Sequence, residues 1–274
     1  IDSFGRLRMK EFKRYVRLYI VYAKQFTKSI MQSKVDFFIG LFGFFLTQAS
    51  GIAFLYLVFQ QIPKLNDWTF EQLLFIYGFA QIPRGIDHLF ADNLWILAWK
   101  LVITGNFDKY MLRPMNLFFQ VICDRLQADA LGELIVGSIL VGISVSKGII
   151  VWKPSTIILF IISILLGALI YTSIKLFFAS TAFWFKDSVP FLQTAYNISD
   201  LAKYPLSIYP KPIQVVLSYI LPFAFVAYIP AKYFLVGGSI LNTIFLEGVI
   251  ALVLWFISYG LFKKGTSIYE SAGN

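Results

Sequence analysis

Charged and ionisable side chains interrupt a long apolar stretch at residues 70–99. Arg84, Asp87 and His88 lie three and four residues apart, so a helix would place them on one face, where Arg84 and Asp87 could pair. An unpaired charge inside a bilayer costs at least about 2.5–3.5 kcal/mol on insertion scales. The spacing therefore allows two interpretations, an ion pair that fixes helix packing or a polar path for a substrate.

Other apolar stretches carry isolated charges that allow the same two interpretations. Glu133 and Glu247 are acids of this kind. For Lys175 the alternatives are a side chain that extends to the lipid headgroups and one with a buried partner. Residues 188–208 form the least hydrophobic stretch, and a helix this polar is expected beside protein or water. A translocation path would be lined by Arg84, Asp87, His88, Asn197 and Asp200.

The sequence has no arrangement that is typical of a catalytic or metal site. It contains one histidine and one cysteine, Cys123, which excludes an internal disulfide and gives no metal-ligand spacing. The H-E-x-x-H, G-x-S-x-G and P-loop motifs are absent, although a metalloprotease, a serine hydrolase or an ATPase would be expected to carry one of them. We therefore predict a non-catalytic chain with no metal or cofactor of its own.

The elements that must position these groups are hydrophobic helices. Hydrophobic residues make up 58% of the 274 residues and charged residues 14%, against about 25% charged in a soluble domain. A membrane span needs about 20 mostly apolar residues, and only helices or closed barrels satisfy their backbone in lipid. The fold class is predicted to be all-α and polytopic, with six transmembrane helices at about residues 35–59, 70–99, 125–146, 155–184, 188–208 and 237–262.

The N-terminal region and the basic residues predict the orientation. Residues 1–8 precede Met9 and are interpreted as an expression-vector remnant. Residues 9–34 combine an aromatic and a basic stripe, which predicts an amphipathic interfacial helix, favoured as an anchor over an elbow that transmits movement; residues 35–274 form the transmembrane domain. Lys and Arg concentrate before the first span and after the second, so both termini are predicted to be cytoplasmic. The net charge of +9 then reports topology rather than a nucleic-acid partner.

Prolines break the chain after the fifth predicted span. Pro210, Pro222 and Pro230 delimit apolar pieces that are too short to cross a bilayer, because each proline removes a backbone donor and bends or ends a helix. Short broken helices are tolerated in a membrane where they are buried against protein. We expect a re-entrant hairpin at about residues 211–232 on the outer side, where it could close one end of a pathway.

The turn between the second and third predicted spans is the most distinctive local pattern. Gly105 frees the chain to turn, Asp108 can cap a short helix and Pro114 ends it. Phe107, Tyr110 and Leu112 would then offer an apolar face at the cytoplasmic surface. A docking element and an ordinary interfacial turn are both consistent with these residues.

That turn resembles the G-x-x-D-x-x-L-x-R-P signature of the ABC-2-type permease family, which comprises membrane subunits of bacterial ABC exporters. Met111 stands where the family usually has leucine. Further similar stretches follow in the same order along the chain: Phe183–Phe185, Tyr204–Pro205, Ile208–Pro210, Leu221–Ala224, Tyr228–Ala231 and the ending Tyr269–Gly273.

The resemblance implies a permease of the bacterial cytoplasmic membrane that pairs with a second, similar or identical permease and with two ATPase subunits. ATP and Mg²⁺ would bind to the ATPases. Their closure would push the turn and switch the permease between inward-facing and outward-facing states, with the path between permeases lined by the second and fifth spans. The residues implied in coupling to the ATPase are Gly105, Phe107, Asp108, Tyr110, Leu112, Arg113 and Pro114.

The alternative class is a self-contained carrier or channel. Such a protein is expected to contain inverted repeats with paired broken helices, and the two halves of this chain do not mirror each other. Aromatic-rich spans with few fixed charges favour an amphipathic or hydrophobic cargo, such as a drug, a peptide or a lipid.

Overall fold

The computed structural model describes residues 13–25, 28, 34–127 and 130–271. This part of the chain is 80% helix and contains no strand; an isolated bridge joins Leu65 and Trp68. The all-α prediction is confirmed. The predicted vector remnant at residues 1–8 and the first residues of the predicted amphipathic helix lie outside the described part.

Helices of very different length follow one another along the chain. The α-helices are α1 (13–25), α2 (Lys34–Gln61), α3 (Phe70–Ala91), α4 (Asn93–Ile96), α5 (Asp108–Met111), α6 (Leu117–Cys123), α7 (Ala130–Ser146), α8 (Pro154–Ser180), α9 (Ala182–Phe185), α10 (Val189–Ser199), α11 (Lys211–Val215), α12 (Tyr228–Val236) and α13 (Leu246–Ile268). Short π-helical segments cover Leu97–Leu101, Val216–Ile220 and Leu241–Phe245, and 3₁₀ segments cover Asp200–Lys203, Leu206–Ile208 and Phe223–Phe225.

Three helical stretches of the described chain are long and apolar enough to cross a membrane: Lys34–Gln61, Pro154–Phe185 and Leu241–Ile268. A fourth is obtained if the pair Lys211–Ile220 and Phe223–Val236, bent by 78°, is counted as one span. Helix α3 has 22 residues but its polar side chains lower its hydropathy, and α7 has only 17. Six spans therefore remain a prediction.

Several predicted spans differ from the helices observed. The predicted span 70–99 is divided at Asp92 into α3, α4 and a π-helical segment, and in the predicted span 125–146 residues 125–127 are not helical and α7 begins at Ala130. Residues 188–208 do not form one helix, because α10 ends at Ser199 after 11 residues and a 3₁₀ turn follows. Tyr204 is extended, with φ −125° and ψ 155°, as expected of a residue that precedes a proline. The last helical stretch begins at Leu241 rather than at 237, because Gly237 and Gly238 have φ of 86° and 145°, outside the helical region.

Helices α3 and α7 approach closely at two glycines. A Cβ atom added to Gly78 would lie 2.7 Å from the Cβ of Leu140, and one added to Gly137 would lie 2.9 Å from the carbonyl oxygen of Gly78. Small residues allow such approach between apolar helices, where dispersion contacts rather than water exclusion drive association. The pair α3–α7, with α8 against α3, therefore forms the tightly packed part of the fold.

Helix α2 lies at the periphery. Only Gln48 and Leu55 among its residues are buried, whereas the rest of the helix is apolar and largely exposed. Gln48 attaches α2 to α3 by two hydrogen bonds. Its Oε1 accepts from Tyr77 Oη at 2.5 Å and from Gln81 Nε2 at 2.8 Å. A polar group inside an apolar helix is thus satisfied across the helix interface.

Contacts define two ends of the molecule, separated by the length of α3, which is about 33 Å for 22 residues. At one, the Trp68 end, the indole of Trp68 donates to Ser207 Oγ at 3.1 Å and its ring lies 5.8 Å from that of Tyr228. At the other, the turn end, residues 105–116 meet helix α1 and the segment after α13. Ser188 lies towards the turn end, since its N–H donates to the Ala98 carbonyl at 2.8 Å. The interrupted stretch from Ser188 to Ser207 therefore runs between the two ends.

Candidate functional site

Asp87 on α3 and Lys175 on α8 form an ion pair in the interior. Lys175 Nζ lies 2.6 Å from Asp87 Oδ2, and both side chains are 0% exposed. The carboxylate also accepts hydrogen bonds from Thr172 Oγ1 at 2.8 Å and Tyr196 Oη at 2.7 Å. A buried charge is tolerated when it is paired and its remaining lone pairs are satisfied. Of the two interpretations of Lys175, the structure therefore shows the buried partner and not extension to the headgroups.

Arg84 pairs with acids on two other elements rather than with Asp87. Its Nε lies 3.3 Å from Glu133 Oε1 on α7, and its Nη1 contacts Asp200 beyond α10. The predicted pair of Arg84 with Asp87 is wrong. Residues three apart on a helix diverge by about 60° in projection, so Arg84 points to α7 and α10 while Asp87 points to α8.

His88 and Lys203 complete this set of charges. His88 Nδ1 lies 2.8 Å from Glu133 Oε2, and Lys203 Nζ lies 2.8 Å from Asp200 Oδ1. We call the whole set the charge cluster; its members are Arg84, Asp87, His88, Glu133, Lys175, Asp200 and Lys203.

Tyr196 lies at the centre of the charge cluster. Its ring stacks on His88 with centroids 5.3 Å apart, and the charged ends of Arg84 and Lys175 lie 5.5 and 5.3 Å from the ring centre. Sequence reasoning missed this residue. The available signal was its spacing: Tyr196 and Asp200 are four apart in the most polar of the predicted spans, so they share a helix face.

The charge cluster reaches the surface at Asp200. Its side chain is 49% exposed, whereas those of Arg84 and His88 are 15% and 16% exposed. Asn197 lies outside the cluster on the exposed face of α10, where its Oδ1 accepts from Gln193 Nε2 at 2.9 Å. Four of the five predicted path residues are thus brought together, and the fifth continues a polar strip along α10.

Glu247 is separate from the charge cluster. It is fully buried between α13 and α8, and its Oε2 accepts from Ser163 Oγ at 2.7 Å. Among the described residues it forms no ion pair. The ion-pair interpretation of Glu247 is therefore wrong, and a hydrogen bond between α8 and α13 is found in its place.

The turn at Gly105–Pro114 buries two of its three predicted docking side chains. Gly105 has φ 69°, which requires the freedom of glycine. Phe107 is buried, with its ring centre 5.1 Å from those of Phe183 and Tyr269. Tyr110 is also buried. The prediction that these two rings face outward is wrong. The segments after α8 and α13 supply aromatic residues that cover Phe107, and Tyr110 packs against Phe107 with ring centres 5.8 Å apart.

Tyr110 is held by hydrogen bonds as well as by packing. Its hydroxyl donates to Asp124 Oδ2 at 2.7 Å, beside the salt bridge of 2.8 Å between Asp124 and Lys109. Burial, and next the hydrogen bond to Asp124, raise the pKa of Tyr110 to about 12, so the hydroxyl remains a donor at neutral pH.

The side chains left free in the turn are Leu112 and Met111, which are 84% and 48% exposed. Asp108 begins helix α5 but does not cap it; its carboxylate accepts instead from Ser271 Oγ. Arg113 is exposed and donates to Tyr22 Oη on α1 at 3.0 Å. Pro114 follows the end of α5, where its missing N–H is tolerated.

Two of the three prolines assigned to the hairpin lie at its breaks, whereas the prediction that Pro230 ends a helical piece is wrong, since α12 continues through it to Val236. Pro210 precedes α11 and Pro222 lies in the 78° bend. Pro230 is the third residue of α12, where its missing N–H leaves no intrahelical bond unmade. The ring of Phe223, next to the bend, lies 5.3 Å from that of Tyr171 on α8. The bend therefore reaches deep along α8.

A model of the family described as ABC-2 family transporter protein matches residues 45–273. The match includes α3, the turn, the hairpin and the segment after α13. The chain belongs to the ABC-2 transporter family. No curated protein sequence matches it significantly.

The family match confirms the resemblance drawn from Gly105–Pro114. This ABC-2 protein is a multi-pass membrane protein and the non-catalytic permease component of an ABC transporter, and the family implies association with ABC ATPase subunits. Within the described ranges of this permease, no group of three or more His, Cys, Asp and Glu residues could hold a metal ion. The charge cluster and the turn provide fixed charges, hydrogen bonds and an exposed apolar side chain.

Proposed function

We propose that this permease exports an amphipathic or hydrophobic compound across the bacterial cytoplasmic membrane, as one of two similar or identical permeases served by two ATPase subunits. ATP and Mg²⁺ bind to the ATPases. The observation that carries the proposal is the exposure of Leu112, which is 84%, on a turn whose aromatic side chains are buried. An apolar side chain presented on a fixed turn suits a partner groove.

We propose six membrane crossings with both termini in the cytoplasm. The supporting observation is that α1 and the segment after α13 both contact the turn: Tyr22 accepts from Arg113, and Ser271 donates to Asp108. An even number of crossings brings the two termini to one side. The interrupted fifth stretch counts as a crossing on this proposal, since Ser188 and Ser207 lie near opposite ends.

The hairpin at residues 211–232 is proposed to be re-entrant from the outer side. In support, Tyr228 contacts Trp68 at 5.8 Å, whereas Phe223 contacts Tyr171. Tyr171 lies about 25 Å along α8 from Pro154. The chain thus enters deeply and returns to the end from which it started, which is tolerated because Phe223 and Val226 are buried against protein.

The substrate path is proposed to lie between the two permeases, along the second and fifth spans. The polar strip of Gln193, Asn197 and Asp200 supports this location, because exposed polar groups at membrane depth face another protein or water rather than lipid. Arg84 joins α3 to the segment after α10 through Asp200. Closure of the ATPases would move the turn and shift the population between inward-facing and outward-facing states.

The proposal is tested by co-expressing the chain with candidate ATPase and partner permease subunits and recovering the complex through this chain. Leu112→Asp should reduce ATPase recovery by about tenfold or more, as for loss of a central interface contact. Val151→Asp is the matched control, since Val151 is 75% exposed in the loop before α8, at the Trp68 end.

Recovery of the ATPase at the wild-type level with Leu112→Asp would contradict the docking role. Substrate transport by the purified chain alone in proteoliposomes, without an ATPase, would instead favour the self-contained carrier.

A further inference from the structure

The segment that follows α13 lies against the start of the turn. The ring of Tyr269 lies 5.1 Å from that of Phe107 and 6.1 Å from that of Phe183, both edge-on. Two residues later, Ser271 Oγ donates to the carboxylate of Asp108. An aromatic contact and a hydrogen bond to a carboxyl group therefore join neighbouring residues of the two segments.

Helix α13 itself is fixed to the same aromatic group. A Cβ atom added to Gly265 would lie 2.2 Å from Phe183 Cδ2, so the helix passes directly over that ring. Phe262, one turn earlier, packs on Phe183 with ring centres 6.0 Å apart. The end of α13 is thus closely packed against Phe183, and the segment beyond it connects this helix end to the turn.

The segment is attached at separate points rather than packed along its whole length. A cavity of about 330 Å³ lies beside it, bordered by Val102, Phe183 and Lys186. Glu270 and Ser271 are exposed, and Tyr269 is half-buried. Contacts that are few and separate can be removed one at a time, which makes the contribution of each measurable.

The other end of the turn is held by a different part of the chain. Arg113 donates to Tyr22 Oη, and the ring of Tyr15 lies 4.6 Å from that of Phe119. The C-terminal segment therefore holds the start of the turn and α1 holds its end. The exposed residues Met111 and Leu112 lie between these two attachments.

We infer that Tyr269–Ser271 is a strap that positions the turn Gly105–Pro114 against the end of α13. Tyr269 and Ser271 are positioning residues: they act on Phe107 and Asp108 and so determine how firmly Leu112 is presented. The role of the strap in ATPase coupling rests on the proposed function, whereas its hold on the turn is a property of this chain alone. Through the strap, a force on the turn would reach α13 directly.

The strap is tested by the mobility of a spin label at position 112 in the full-length chain, reconstituted in lipid nanodiscs without any ATPase. The label is attached to Leu112→Cys in a Cys123→Ala background, because Cys123 is the single cysteine and is buried. Tyr269→Leu and Ser271→Ala should each raise the mobile fraction of the electron paramagnetic resonance spectrum by about twofold, as expected when a local contact opens.

Three matched variants distinguish a loss of positioning from a general loss of stability. Tyr269→Phe keeps the ring and Ser271→Thr keeps the hydroxyl, so both should resemble the unaltered chain. Ser267→Ala removes a nearby hydroxyl that donates to the carbonyl of its own helix at 2.7 Å, and it should leave the label unchanged. The melting temperature of each variant is measured on the same samples.

Unchanged spectra for Tyr269→Leu and Ser271→Ala would overturn the strap. So would equal mobilisation by Ser267→Ala, or mobilisation accompanied by a fall in the melting temperature of the whole chain. If the spectra change as expected but no ATPase is recovered with the wild-type chain, the strap stands and the proposed function fails.

Discussion

The charge cluster and the turn differ in whether every large side chain has a partner within the chain. In the cluster, Asp87 and Lys175 are completely buried and satisfy each other. In the turn, Phe107 and Tyr110 are equally buried, but Leu112, two residues after Tyr110, is 84% exposed. Groups that find partners within the chain hold the fold together, and the group that finds none is available to another protein.

The comparison also separates two kinds of polar residue within the charge cluster. Glu133 and Asp87 are enclosed by partners, whereas Asp200 is half exposed although it pairs with Arg84 and Lys203. A path residue must be reachable by a substrate. Within the charge cluster, Asp200 meets this condition best.

The largest expected effect comes from removing one member of the buried pair. Lys175→Met leaves the Asp87 carboxylate buried without its cation, which should cost about 3–5 kcal/mol and sharply lower the yield of folded protein. Yield by size-exclusion chromatography and the melting temperature in detergent measure this effect.

The control for this prediction is the double variant Lys175→Met with Asp87→Asn. Because it removes both charges and keeps an acceptor for Thr172, it should recover much of the lost stability. A single variant as stable as the wild type would show that the pair does not hold the fold.

Truncation of Phe107 and truncation of Leu112, both in the turn, should have different effects on stability. Phe107→Ala empties a buried aromatic site and should destabilise the chain by about 3–5 kcal/mol. Leu112→Ala, at an exposed position, should change stability by less than about 0.5 kcal/mol while lowering ATPase recovery. Melting temperature and recovery are measured together, and similar stability losses in both variants would remove the distinction between them.

Packing of α3 on α7 should be sensitive to a single methyl group. Gly78→Ala places a Cβ atom 2.7 Å from that of Leu140, so the helices must move apart at a cost of about 1–3 kcal/mol. Gly142→Ala, on the partner helix α7, is the control, because nothing lies within 4 Å of its added Cβ atom. Equal melting temperatures for the two variants would contradict the close approach.

Only a small effect on stability is expected at the exposed edge of the charge cluster. Asp200→Asn should cost no more than about 1 kcal/mol, because the carboxylate is half solvated and Arg84 keeps Glu133. Transport by the reconstituted complex should nevertheless fall.

The comparison variant is Glu133→Gln, which should reduce stability more than Asp200→Asn does because Glu133 is enclosed. Unchanged transport with Asp200→Asn would assign Asp200 to packing alone.

Local patterns in the sequence were sufficient for some of these features. Helical class follows from apolar runs without alternation, the hairpin breaks follow from Pro210 and Pro222, and the turn follows from Gly105 and Pro114. Each of these depends on a residue's own backbone limits or on near neighbours. The family match over residues 45–273 agrees with the motif found in that turn.

Local patterns in the sequence could not determine which residues on other helices each charged side chain pairs with. Arg84 and Asp87 are neighbours on one helix but pair with α7 and α8, since spacing reports a shared face and not which helix covers it. For the same reason Phe107 could not be distinguished from Leu112, because the residues that cover it, Phe183 and Tyr269, are far away in sequence.

By itself the sequence determined a helical membrane protein with a proline-broken hairpin and a short turn that carries a family motif, because hydropathy, proline and glycine act locally. Only the tertiary structure decided which charges are paired, which aromatic rings are covered and that the segment after α13 reaches Asp108. Those outcomes depend on distances between helices that are remote in sequence, where burial and charge pairing are decided together.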